Sequence, residues 1–214
     1  MDETLNWADE TERKLLDAAL ALAPALGWGQ QLVDRAAGEI GLSKAEAELL
    51  LPHGPRDLAA LLSRRHNALT AATLAGLDLK ALKIRQRIRE GVLAWLDAHA
   101  ADGEAARKAL GFLALPANLP LAGRLTWASA DLIWRWAGDV ATDENHYSKR
   151  AILSGILAST LAIEQASGRQ AASDHLDARI ENVMAFEKWK AGLPKPSEIG
   201  KSVAGALGRL RFGG

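Results

Sequence analysis

Residues 137–150, AGDVATDENHYSKR, bring Asp139, Asp143, Glu144, His146, Tyr147, Lys149 and Arg150 into one short segment. Carboxylates and an imidazole at this spacing can ligate a metal ion, hold a general base or dock a charged partner. The same residue types also suit a charged corner between two helices, where acids stabilise a helix N-terminus. A triad of Asp139, Asp143 and His146 would need continuous helical spacing, yet Gly138 to Thr142 reads as a break. No second histidine lies near in sequence, and no Glu-x-x-His pair of the di-iron type occurs. The other histidines, His53, His66, His99 and His175, are scattered and read as surface or internally satisfied residues. G-x-S-x-G, phosphate-loop and G-x-G-x-x-G signatures do not occur, so no metal or cofactor is expected and the chain reads as not an enzyme.

The whole chain bounds these options. Its 214 residues suit one or two compact domains, and 49% hydrophobic with 24% charged residues is ordinary for a globular protein. A formal net charge of zero argues against whole-molecule attraction to nucleic acid. Without cysteine there are no disulfides, thiolate metal sites or cysteine nucleophiles. No apolar run is long enough to span a bilayer. The acidic opening MDETLNWADETERK resembles neither a signal nor a transit peptide. It leads to the expectation of a bacterial-type cytoplasmic protein, peripheral at the inner membrane, with no transit peptide in this chain.

The elements that must position these residues are helices. Ala and Leu abound, Val and Ile are sparse, and alternating runs are absent. TERKLLDAALALAPAL places Leu15, Ala19, Leu22 and Leu26 on one face, ending at Gly27 to Gly29. A second helix closes at Gly41, and Ser43 caps a third that stops at Pro52. A fourth covers 55–75 with Pro55 near its first position. A fifth runs from about Asp78 to His99, a sixth over 104–115, a seventh over 120–140, an eighth over 143–166 and a ninth over 173–191. After a GLPKP linker a last short helix follows. The predicted fold is therefore all-α with about ten helices: a helix-turn-helix-like subdomain (1–54), a larger helical ligand domain (55–191), and a linker with an amphipathic helix (192–214).

VDRAAGEIGLS has helix-turn-helix grammar, and KLLDAALALAPALGW resembles the first helix of TetR-type repressors. The third helix, however, offers Glu46 and Glu48 where a groove reader needs Arg, Asn or Gln. A TetR-family-like bundle without base readout leaves a cavity in the larger domain as the working part. The alternative is a TetR-type regulator with a hydrophobic small-molecule ligand.

In the seventh helix Arg124, Asp131 and Arg135 form a polar strip, with Leu125, Leu132, Ile133, Trp136 and Val140 opposite. Trp127 and Trp134 lie beside the strip. They either pack against a neighbouring helix or form an aromatic ridge on a cavity or partner surface. The eighth helix starts with Thr142 as N-cap and becomes apolar or small on every side after Arg150. The large apolar residues Trp95, Trp127, Trp136, Leu153 and Leu157 are the candidate lining of a ligand cavity. In the tail, Ile199, Val203, Leu207 and Leu210 share a stripe, with Lys201 and Arg209 on the other side. That pattern predicts a membrane-binding helix.

Three stretches, ALGFLALPANLP, ADLIWRWAGDVATDENHYSKRAIL and LDARIENVMAFEK, resemble the lipid-binding accessory proteins of ubiquinone (coenzyme Q) biosynthesis, the ninth in that pathway's usual protein series. The strongest block carries Trp134, Ala137, Gly138, Asp139, Thr142, Asp143, Asn145, Tyr147, Arg150 and Ala151. The resemblance covers residues 10–191. It implies a TetR-like homodimer without repressor activity, a cavity for ubiquinone precursors, isoprenoid lipids or phospholipid, and a C-terminal helix on the membrane surface. It also implies a partner, the di-iron demethoxyubiquinone hydroxylase, met through the seventh and eighth helices. Carried over by position, the docking residues are Ile133, Trp134, Asp143, His146, Tyr147 and Arg150. Family members often carry aromatics where this chain has Glu144 and His146, so its patch is more polar.

Overall fold

The computed structural model describes residues 3–140 and 144–191. Among them there is no strand, and the elements are eight α-helices with two short 3₁₀ turns, slightly fewer helices than expected. They are α1 (Glu3–Leu26), α2 (Gln30–Glu39), α3 (Lys44–Leu50), α4 (Pro55–Ala75), α5 (Ile84–Ala101), α6 (Gly103–Leu113), α7 (Leu119–Trp136) and α8 (Glu144–Ala191). The last predicted helix, with Ile199, Lys201, Val203, Leu207, Arg209 and Leu210, lies outside the described residues.

The turns follow from a few residues. Gly41 has φ 75°, donates to the Gly38 carbonyl and is followed by a bond from Leu42 N to the Ala37 carbonyl. Those two bonds are a Schellman stop, which glycine enters without a Cβ penalty. Two residues later a capping box starts α3: the Ser43 hydroxyl accepts from Glu46 N, and the Glu46 carboxylate accepts from Ser43 N. Glu46 is thus occupied in building the turn. Lys44 pairs with Glu48 on the same helix, and Leu49 is 75% exposed, so α3 presents no base-reading side chain.

α7 ends at Trp136, not near residue 140, for the same reason that α2 ends. Gly138 has φ 93° and donates to the Arg135 carbonyl, while Asp139 N donates to the Trp134 carbonyl. α5 likewise begins later than Asp78, because Asp78 caps a 3₁₀ turn over Leu79–Ala81 instead. The eighth and ninth predicted helices form one element with non-helical backbone at Gly168, φ 87° and ψ 176°. His175 Nε2 lies 3.1 Å from Ser159 Oγ, at positions nearly equidistant from Gly168. The arms 144–167 and 169–191 therefore fold back on each other as a hairpin.

Two apolar clusters hold the bundle. Leu15, Leu32, Val33 and Leu51 from α1 to α3 are buried with Leu58 and Leu62 of α4 and Ala105 and Ala109 of α6. Val92 and Leu96 of α5 are buried with Ile133 of α7 and Leu153, Leu157 and Leu176 of the α8 hairpin. α4 packs on α5 and α7 as well as on α1 and α2, which joins the clusters. No helix among the described residues is long and apolar enough to cross a membrane.

Candidate functional site: an apolar cavity beside a charged corner

A cavity of about 280 Å³ opens between α4, α5, α6, α7 and the first arm of α8. It exists because alanines stand where larger residues would fill the space. Ala59, Ala106 and Ala109 form part of its buried floor, with Leu62 and Trp95. Its rim is exposed at Leu119, Ala158 and Ala162. The α8 positions that face it, Ala158, Leu161, Ala162 and Gln165, recur at helical spacing. The opening lies toward the low end of typical ligand pockets, roughly 300–1,000 Å³. It suits a ring or a short prenyl stretch whose remainder leaves through the mouth.

Of the five residues expected to line such a cavity, only Trp95 does. Leu157 is fully buried in the core, one position away from the cavity-facing row. Leu153 belongs to a separate groove of about 200 Å³ with Ile84, Ile88, Trp134, Ile152 and Ile180. Trp136 donates its Nε1 hydrogen to the Leu74 carbonyl at 3.0 Å, tying α7 to the end of α4. Trp127 faces Tyr147, with ring centroids 6.3 Å apart.

Helix α7 connects this cavity to the charged segment at residues 137–150. One face of α7 gives Leu125, Thr126 and Ser129 to the cavity, and its far end meets α8 at a buried ionic corner. Arg150 is 1% exposed. Its Nε donates to Asp131 at 2.6 Å, and one terminal nitrogen donates to Asp139 at 3.0 Å and to the His146 carbonyl at 3.1 Å. Burial opposes the guanidinium charge, but hydrogen bonds to Asp131 and Asp139 raise its pKa above the ordinary arginine value. Lys149 adds a second cation, 2.7 Å from Asp139, and lies 5.3 Å from the Trp134 ring centroid. Trp134 in turn donates to the Lys149 carbonyl.

The expected docking residues thus separate by position. Ile133 is fully buried, packed where α7 crosses α5 at Gly91. Arg150 is sealed in its ion pairs and offers no exposed contact of its own. Trp134 is half-buried, and Tyr147 is 64% exposed with its ring edge to the His146 imidazole. The side chains of Thr142, Asp143, Glu144 and Asn145 lie outside those described. Asp139, weighed in the sequence as a metal ligand, a general base or part of a charged corner, is an anchor for Arg150 and Lys149. The described residues contain no grouping of His, Asp and Glu suited to hold a metal ion.

Two residues dismissed individually in the sequence meet at the cavity. His66 on α4 and His99 in the last turn of α5 have ring centroids 4.1 Å apart, and His99 stacks on Trp95 at 4.0 Å. His66 Nε2 lies 2.8 Å from the Asp102 carboxylate, which sits at the junction of α5 and α6. The one available sequence signal was the i, i+4 spacing of Trp95 and His99; the 36-residue separation of His66 from Asp102 gave none.

A family model described as COQ9 matches residues 119–187, the span of α7 and most of α8. A relative from Xenopus tropicalis, ubiquinone biosynthesis protein COQ9, mitochondrial, is 30% identical over 158 residues, covering 71% of this chain and 50% of the relative. The Homo sapiens protein of that name is 29% identical over 165 residues, covering 74% of this chain and 52% of its own length. That from Rattus norvegicus is 28% identical over 192 residues, covering 86% and 62%. The chain spans about half the length of the first of these relatives. Each matching relative is named mitochondrial, which overturns the expectation of a bacterial-type cytoplasmic setting. Because the matched span builds both a cavity wall and the Arg150 corner, and the relatives align over most of the bundle, the chain belongs to the COQ9 family.

Proposed function

We propose that the chain is a non-catalytic lipid-binding accessory protein of ubiquinone biosynthesis, acting in mitochondria. It takes up an isoprenoid quinone precursor and presents it at a membrane surface to the di-iron demethoxyubiquinone hydroxylase. The observation that carries this reading is the alanine-floored cavity, whose wall helix α7 also forms the corner displaying Tyr147. A polyprenyl tail cannot enter water cheaply, since each exposed methylene costs about 0.8 kcal/mol. A carrier therefore needs an apolar recess for part of the lipid, a membrane contact and a docking face. The recess is the cavity; the contact is assigned to the stripe of Ile199, Val203, Leu207 and Leu210; the face is assigned to Trp134, His146 and Tyr147, with Trp127 beside them. A homodimer with residues 1–54 as a TetR-like subdomain is part of the same reading.

The deciding experiment is mass spectrometry of lipid extracted from the purified full chain and from Ala158→Trp. Ala158 is exposed at the cavity mouth, so the indole blocks entry without entering the core. The wild type is expected to carry isoprenoid lipid or phospholipid, and the variant several-fold less. Recovery of neither lipid from the wild type overturns the proposal.

A further inference from the structure

The paired histidines give the cavity a polar end that a purely apolar recess would not need. His99 Nδ1 lies 2.9 Å from the Trp95 carbonyl oxygen. A carbonyl only accepts, so Nδ1 carries the hydrogen and Nε2 is the other ring position. Burial, and then the neighbouring His66, push the His99 pKa down to about 3. The ring is therefore neutral at physiological pH and its Nε2 is an acceptor. Among the described residues no donor meets that nitrogen. The His99 side chain is partly exposed and lines the cavity, beside Trp95 and His66.

Several of the neighbouring groups are already committed. His66 Nε2 donates to Asp102, whose carboxylate also faces Arg65 at 3.5 Å. The Ser129 hydroxyl donates to Asn67 at 2.8 Å, Thr126 donates to the Ala122 carbonyl, and Gln165 accepts from Arg107. His99 thus offers a hydrogen-bond acceptor with no partner in a largely apolar wall. A ligand without a donor leaves it desolvated and unpaired, which weakens binding about tenfold. The Asp102 carboxylate, 2.8 Å from His66 Nε2, disfavours an anionic head at this end.

We propose that His99 Nε2 accepts a hydrogen bond from a hydroxyl on the head of the bound amphiphile. The cavity then selects phenols or alcohols over their O-methylated and carboxylate counterparts. This rests on the cavity being a lipid site. Removing the donor from a ligand, or the acceptor from the wall, has the same consequence: selectivity disappears while apolar binding remains.

The test is calorimetric titration of the full chain with 4-octylphenol, 4-octylanisole and octanoate. The wild type is expected to bind the phenol about tenfold more tightly than the anisole, and octanoate more weakly than either. His99→Phe is expected to make the phenol and anisole affinities equal, and His99→Gln, which keeps an acceptor near the same place, to retain part of the preference. Circular dichroism verifies that each variant is folded. If His99→Phe does not fold, the wild-type comparison and His99→Gln decide. Equal binding of phenol and anisole by the wild type, tightest binding of octanoate, or full phenol preference in folded His99→Phe overturns the proposal. If Ala158→Trp still abolishes binding in any of those cases, the cavity reading stands. If neither phenol nor anisole binds, the two fall together.

Discussion

Arg150 looks in the sequence like a surface cation next to a docking tyrosine, and its physical position reverses that role. A guanidinium 1% exposed between two carboxylates, with Asp139 itself only 5% exposed, is a brace. Arg150→Ala would strand two acids in a poorly solvated corner, and breaking a buried pair this way costs about 3–5 kcal/mol. Chemical denaturation should show that loss directly; a change below about 1 kcal/mol would mean that water reaches the corner and the pairing is weak. His99 makes the opposite electrostatic statement. Its folded pKa of about 3 lies below its ordinary 6.5, so between those values the unfolded chain holds the extra proton. Stability is then fully present above about pH 6.5 and is lost as pH falls toward 3, with a limiting slope near 1.4 kcal/mol per pH unit. The groups around it are His66, Asp102 and Arg65. Burial opposes the Asp102 charge, while the His66 hydrogen bond and Arg65 hold its pKa below 3.8, so its own contribution fades at lower pH. Urea midpoints near pH 7.5 and near pH 5 should therefore fall more for the wild type than for His99→Gln. Equal falls would locate the proton uptake elsewhere.

Among the elements, the helix starts and stops were legible where side-chain chemistry writes them locally. Ser43 with Glu46, Pro55 after Gly54, and Gly41 each specify a boundary through bonds to residues three to five positions away. Gly138 wrote the end of α7 equally plainly, but the apolar pattern through Val140 hid it; Val140 is in fact 91% exposed. What local pattern does not encode is the angle at which helices cross. Gly168 sits in a backbone region essentially reserved for glycine, so Gly168→Ala should weaken the α8 hairpin by about 1–3 kcal/mol. No side chain lies within 4 Å of an added Cβ there, which makes the backbone the sole cause. Gly91 is the contrasting case, because its helical backbone tolerates alanine but its neighbour does not. A Cβ would fall 2.4 Å from Ile133 Cγ2. The gain in helix propensity is about 1 kcal/mol, against about 1–3 kcal/mol for overpacking, so Gly91→Ala is expected to lower the melting temperature. A rise would show that α5 and α7 can part without penalty.

At the scale of the molecule, the sequence reveals an all-helical bundle and a special α7–α8 corner, but not which residues enclose empty space. A cavity is set by what small residues leave out across several helices, so Ala106, Ala109 and Ala158 carry it more than the tryptophans do. Trp127 and Trp136 drew attention by size, yet they serve the corner and the tie to α4. The His66–His99–Asp102 group was illegible because His66 is distant in sequence from His99 and Asp102 and meets them only when α4 packs on the α5–α6 junction. On the proposed function, lipid uptake and partner docking use different faces of one helix, which makes them separable. Tyr147 is 64% exposed, and replacing such a residue changes stability by only about 0.5 kcal/mol or less. An exposed aromatic at the centre of a docking face costs about 2 kcal/mol or more of binding when truncated, which is more than tenfold in affinity. Tyr147→Ala should therefore lose hydroxylase association in a surface-binding assay while keeping its melting temperature and its extracted lipid. Ala158→Trp should do the reverse, losing lipid while still engaging the hydroxylase. If Tyr147→Ala sheds its lipid as well, the two faces are coupled through α7; if it keeps full hydroxylase affinity, the docking face lies elsewhere on the bundle.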